Sequence, residues 1–128
     1  MPTACVSSHH RYEWVEHGEN KGMALWGPIS QWDTSSVKDM QRSFSTSRNS
    51  GGNTCTGCHA KAKFFNADIS EWITSAVTDM GALFENAQTF AGSLANWDVG
   101  KVTRMYRMFL NTFRWNGDIS KWNVAEVC

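Results

Sequence analysis

Cys55-Thr56-Gly57-Cys58-His59 is the stretch of this 128-residue chain whose residue types and spacing point most directly to chemistry. Two thiols separated by two residues, with histidine next, form the pattern by which haem c is attached. The thiols make thioether bonds and the histidine ligates the iron. In that reading Cys55, Cys58 and His59 bind the cofactor, and the distal ligand is a methionine or one of His9, His10 and His17. The same spacing suits zinc, for which Cys5, Cys55, Cys58 and His59 are the candidate ligands, with His9 or His10 able to close the tetrahedron from the N-terminal segment. A disulfide is the plainer alternative, Cys55 with Cys58 or one of them with Cys5, and requires an oxidising compartment. Free thiols on an exposed loop need no partner at all. Haem needs apolar walls, and the flanks SRNSGGN and AKAK supply none. The reading adopted is therefore no cofactor, with haem c and zinc as the alternatives. A thioredoxin-like role fits less well, since there the CxxC opens a helix between strands.

The rest of the chain must decide what this loop is mounted on. With 41% hydrophobic residues it can build one domain around one core. Twelve basic and twelve acidic side chains cancel, which argues against nucleic acid or an anionic membrane as partner. No run approaches the ~18 apolar residues of a membrane span, and the opening MPTACVSSHHRYEW lacks the basic start and apolar stretch of a signal peptide. The expectation is a soluble chain, working outside the cytosol only if a leader has been removed or a longer precursor trimmed. No Gly-rich phosphate loop, Ser-His-Asp set or HExxH occurs, so the expectation is a protein that is not an enzyme.

Four of the seven tryptophans expose the organisation of the sequence. Trp32, Trp72, Trp97 and Trp122 stand 40, 25 and 25 residues apart in matching surroundings. Three residues before each comes Ile29, Ile69, Leu94 or Ile119, and seven before comes Leu25, Phe65, Phe90 or Trp115. Five after comes Val37, Val77, Val102 or Val127; eight after, Met40, Met80 or Met105; twelve after, Phe44, Phe84 or Phe109. The unit is 25 residues long, and the 40-residue spacing places an insertion at about 45–62 in the first copy. CTGCH lies inside that insertion.

The apolar positions average near the helical period, but each copy interrupts the pattern with turn formers such as Ala67-Asp68-Ile69-Ser70 and Gly117-Asp118-Ile119-Ser120. The pattern predicts a short extended segment around Ile-Ser-x-Trp-Asp-Val, a turn, then a short helix across Val-Thr-x-Met-x-x-x-Phe. Thr78, Thr103, Asp39 and Asp79 are placed to cap it. One such unit cannot bury its own apolar face, so copies must stack, tryptophan on tryptophan, as a repeat solenoid with a short strand and a short helix per 25-residue repeat. Met40, Met80, Met105 and Met108 then read as core fillers, and Asp33, Asp68, Asp98 and Asp118 as turn-capping carboxylates. Lys101, Arg104, Arg107 and Arg114 read as a solvated face.

WDTSSVKDM, WITSAVTDM and WDVGKVTRM, with FNADIS and WNGDIS ahead of two tryptophans, resemble the BspA-like, leucine-rich-repeat-type surface protein repeats over roughly 25–44 and 65–128. That resemblance implies a right-handed leucine-rich-repeat-like solenoid, a surface or extracellular setting, and a role in adhesion or protein–protein contact. It supplies no active site. Residues 1–24 depart from the repeat and read as an N-terminal cap. Residues 25–128 read as about four repeats, the last cut short after Val127. That truncation leaves Trp115, Ile119, Trp122 and Val127 as an uncovered apolar layer, the candidate contact surface for other protein subunits of a larger assembly.

Overall fold

The computed structural model describes residues 28–46 and 63–128. The 25-residue copies lie side by side, joined by backbone hydrogen bonds between equivalent positions. Met40, Arg42, Phe44 and Thr46 donate their N–H groups to the carbonyls of Asp79, Gly81, Leu83 and Glu85 at 2.9–3.2 Å. One copy on, Met80, Ala82, Phe84 and Asn86 donate to Arg104, Tyr106, Met108 and Leu110 at 2.7–3.0 Å. The isolated parallel bridges Asp39–Asp79 and Asp79–Arg104 belong to this ladder.

The local conformation differs from the expected short strand and short helix. Among the described residues there is no α-helix and no extended strand; the regular element is a 3-10 helix at Ile29–Gln31. Left-handed backbone explains why. Arg42, Ala82 and Arg107, each ten residues after a repeat tryptophan, have φ of 56°, 53° and 51°, and Asn86 and Asn111, fourteen after, have 61° and 58°. A residue with positive φ ends a right-handed helix, so the segment runs as consecutive turns instead. Within each turn one N–H reaches back three residues, as in Ser43 to Met40, Leu83 to Met80 and Met108 to Met105 at 3.1–3.3 Å. The alternate N–H groups are left to reach the next copy.

Thr78 and Thr103 do not cap helices either. Their hydroxyls donate to the carbonyls of Lys38 and Thr78 on the preceding copy, at 3.3 and 3.2 Å. Asp39 and Asp79 do act locally, accepting from the N–H groups of Gln41 and Gly81 two residues on.

Between the copies sits a column of rings. Phe44 stacks on Phe65 at 4.0 Å between centroids, Phe84 on Phe90 at 4.2 Å and Phe109 on Trp115 at 4.1 Å, one pair per layer. Adjacent layers follow at 5.8–6.0 Å. The repeat tryptophans form a second column, Trp72 lying parallel to Trp97 at 6.5 Å. Each indole is also tied one copy back. Trp72, Trp97 and Trp122 donate Nε1–H to the carbonyls of Ile29, Ile69 and Leu94 at 2.7, 2.9 and 3.0 Å. A buried indole N–H needs such an acceptor, and the carbonyl three residues before the preceding tryptophan supplies it.

The inserted residues begin later than the sequence suggested, because Ser45 is buried and Thr46 still pairs with Glu85. The extra length falls between Thr46 and Phe65, where Phe65 has already rejoined the ring column.

Candidate functional site

The last layer of the stack is built by residues 105–128. Trp115 is placed by its N–H bond to Thr112, by its ring stacking on Phe109, and by its indole N–H, which donates to Gly92 at 3.1 Å. Gly117 is required beside it: a Cβ there would lie 2.8 Å from the indole Cζ2. Asp118 turns the chain by accepting from the Ser120 N–H at 2.8 Å, an interaction that, with the Ser120 hydroxyl, holds its carboxyl below the usual aspartate range. Ile119 then accepts the Trp122 N–H at 3.0 Å, and Val124 accepts that of Val127 at 3.1 Å.

Burial separates this layer from the one before it. Phe84, Phe90, Leu94 and Val102 are fully buried, and Trp97 is 3% exposed. Their counterparts one copy later, Phe109, Trp115, Ile119, Val127 and Trp122, are only partly buried. Beside them Leu110 and Val124 stand 45% and 50% exposed. Together Met105, Met108, Phe109, Ile119, Trp122 and Val124 line an open groove of about 510 Å3, with Arg107 at its edge.

The structure therefore brings Trp115, Ile119, Trp122 and Val127 together in one half-buried layer. Sequence reasoning missed Met105, Phe109, Leu110 and Val124. Met105 and Phe109 were recoverable from the repeat, since they stand eight and twelve residues after Trp97, in the columns of Met80 and Phe84. Leu110 is off the repeat's apolar positions and carried no signal, whereas Val124 stands two residues after Trp122 as the buried Val99 does after Trp97.

The chemistry-bearing candidates Cys5, Cys55, Cys58 and His59, with His9, His10 and His17, lie outside the described residues, as do the N-terminal segment and the body of the insertion. Among the described residues no group of three or more His, Cys, Asp or Glu is placed to hold a metal ion, and Cys128 is an exposed free thiol. No helix there is long and apolar enough to cross a membrane.

The other singled-out side chains have structural partners. Asp33, Asp68 and Asp98 accept from the N–H groups of Ser35, Ser70 and Gly100 at 2.9–3.0 Å, closing turns rather than pairing with one another. Met40, Met80 and Met108 are core, and Met105 packs against it. Lys101, Arg104, Arg107 and Arg114 are exposed, with Arg104 reaching Asp79 at 3.9 Å.

Residues 20–53 and 53–128 match the family described as "Mycoplasma protein of unknown function, DUF285". The chain belongs to this family. DUF285 is a repeat-containing family, and the two matched stretches meet at residue 53, inside the interval that separates the first ladder segment from the second. No curated protein and no solved structure gives a significant match.

Proposed function

We propose that this DUF285 chain is a short leucine-rich-repeat-like solenoid of the BspA-like type, working as a non-catalytic protein–protein interaction module at the cell surface, and that it docks other proteins through its C-terminal layer. One observation carries the reading: Ile119 and Trp122 line a groove of about 510 Å3 and, with Trp115 and Val127, are only partly buried, while the same positions one copy earlier are closed. Membership of a repeat family of unknown function is compatible with such a role. Burying an apolar layer of this kind contributes about 25 cal/mol per Å2, so docking there is favourable by several kcal/mol before entropy is charged.

The test is capture of partners by the immobilised full chain from the surface fraction of its source, compared with a Trp122→Asp variant that keeps the native circular dichroism spectrum. The expected result is loss of the captured proteins in the variant. Unaltered capture by Trp122→Asp, or no capture by the wild type, overturns the reading.

A further inference from the structure

Ile73 stands where the other copies carry a side chain that closes a turn. One residue after their tryptophans, Asp33, Asp98 and Asn123 accept from the N–H groups of Ser35, Gly100 and Ala125 at 2.9–3.1 Å. Isoleucine has no acceptor to offer, and the Ser75 N–H at the same place finds none among the described residues. The turn forms nonetheless, because Val77 donates to Thr74 at 2.9 Å and both neighbouring copies hold its main chain. The Thr34 hydroxyl donates to the Ile73 carbonyl at 2.9 Å, and the Thr74 hydroxyl to the Asp98 carbonyl at 3.0 Å. The result is an isoleucine 54% exposed in the middle of the stack, next to a Trp72 that is buried.

That side chain belongs to a groove. Ser70, Glu71, Trp72, Ile73, Asn96 and Asp98 line an open depression of about 240 Å3 between the second and third copies. It shares no residue with the groove of the C-terminal layer. The charge around it has one sign. Residues 28–36, 66–76 and 91–100, which carry the tryptophan turns of three copies, contain Asp33, Asp68, Glu71 and Asp98 and no Lys or Arg. Cations stand later in the unit, at Lys38, Arg42, Lys101, Arg104 and Arg107, so a chain without net charge is locally acidic along these turns.

We propose that the Ile73 groove docks a polypeptide segment that carries an apolar side chain flanked by lysine or arginine. The apolar side chain packs on Ile73, the cations lie toward Glu71 and Asp98, and a main-chain carbonyl of the segment accepts from the Ser75 N–H. Exposed ion pairs are weak and screened by salt, so the carboxylates steer the approach and the isoleucine anchors it. Little ordering is needed on this side, because Ile73 is stiff at χ1 and its main chain is already tied to both neighbouring copies. The same charge repels nucleic acid and anionic lipid. The inference stands apart from the docking role of the C-terminal layer.

The experiment uses the full chain, with amide shifts and hydrogen exchange followed residue by residue while acetyl-Lys-Leu-Arg-amide is added to millimolar concentration. The expected result is shifts confined to Ile73, Ser75, Asn96 and Asp98, with new protection of the Ser75 amide. Acetyl-Glu-Leu-Glu-amide and acetyl-Lys-Ser-Arg-amide each lack one of the two features and should bind about tenfold more weakly or worse. Ile73→Asp places there the side chain that Asp33 and Asp98 provide in their copies, so it should fold and give the Ser75 N–H an internal acceptor. It should lose the Lys-Leu-Arg peptide by about tenfold or more despite its added negative charge. Glu71→Gln combined with Asp98→Asn, which keeps its turn as Asn123 does, should weaken binding about three- to tenfold. Raising salt from about 0.01 to about 0.15 M should also weaken it, since the screening length falls from about 30 to about 8 Å.

Binding retained or strengthened by Ile73→Asp would mark plain attraction of cations to an acidic surface and overturn the proposal. So would the absence of any shift at the four residues, or shifts that vanish in Trp122→Asp, which would place the peptide on the C-terminal layer. Shifts at Ile73 and Ser75 that grow with the concentration of the chain alone would make a second copy the occupant and overturn a separate partner.

Discussion

Replacing Trp97 with alanine tests whether the tryptophan column holds the stack together. The indole is 3% exposed, lies parallel to Trp72 at 6.5 Å, contacts the Phe84 ring at 6.2 Å, and donates to the Ile69 carbonyl at 2.9 Å. Truncating a buried Trp to Ala typically costs about 3–5 kcal/mol in lost transfer energy and residual cavity. Trp97→Phe separates the components: it keeps most of the ring volume, removes the indole donor from an Ile69 carbonyl that still accepts the Trp72 N–H at 3.2 Å, and should cost about 0.5–1.5 kcal/mol. Trp122→Ala supplies the internal comparison, because Trp122 makes the equivalent bond to Leu94 at 3.0 Å from a half-buried position at the end of the stack. Urea unfolding followed by far-ultraviolet circular dichroism should rank the variants Trp97→Ala, then Trp122→Ala, with a common slope. Against a typical total of about 5–15 kcal/mol, the first loss is large enough to read directly. If Trp97→Ala unfolds within about 1 kcal/mol of wild type, the column is not the core and the register of the copies is wrong.

Three further outcomes follow from particular contacts. Asp33 and Asp68 are held below the usual aspartate value foremost by the Ser35 and Ser70 hydroxyls, and Asp118 foremost by the Ser120 N–H. A depressed carboxylate stabilises the fold above its unfolded pKa and loses that contribution as pH falls through the folded one. The melting temperature should therefore hold from neutrality to about pH 4 and fall below it, and a triple Asp33→Asn, Asp68→Asn, Asp118→Asn variant should fall less steeply. Arg107 is exposed with a φ of 51°, so Arg107→Gly should stabilise by about 0.5–1 kcal/mol in urea unfolding and Arg107→Val should destabilise by more than that. A Cβ on Gly81 would overlap the Tyr106 ring at Cε1, and the Tyr106 hydroxyl meets the Gln41 amide across that glycine. Gly81→Ala should displace the ring into solvent, read as sharpened, averaged Tyr106 ring signals by nuclear magnetic resonance, at a cost of about 1 kcal/mol or less because the ring is an exposed, movable neighbour.

The sequence made the packing legible and the backbone illegible. Tryptophan, phenylalanine, methionine and valine recur at fixed intervals because each occupies the same level of a column in successive copies, and a column of stacked rings tolerates few substitutes. That periodicity located Trp72, Phe84, Phe90 and Trp97 in the core without any knowledge of conformation. The local path was different. Left-handed residues here are Arg42, Ala82 and Arg107, none of them glycine, so composition gave no warning that the Met-to-Phe segment would run as turns instead of a helix. At the candidate site two of the four residues named from the repeat, Ile119 and Trp122, line the groove, while the hydrogen-bond ladder between copies is a property of the main chain that side-chain patterning does not register.

That main-chain property sets how one copy is held to the next. In an ordinary parallel sheet each strand edge carries both donors and acceptors, so either edge accepts a wide range of strands, and proteins must blunt both to avoid aggregation. Here the left-handed residues at ten and fourteen positions after each tryptophan send every inter-copy N–H in the Met-to-Phe segment toward the following copy. The Thr78 and Thr103 N–H groups run the other way, to the carbonyls of Lys38 and Thr78 at 2.8 Å, so adjacent copies are tied in both directions. A slip of register would break both sets at once, which keeps the rings of successive copies in line at 5.8–6.0 Å.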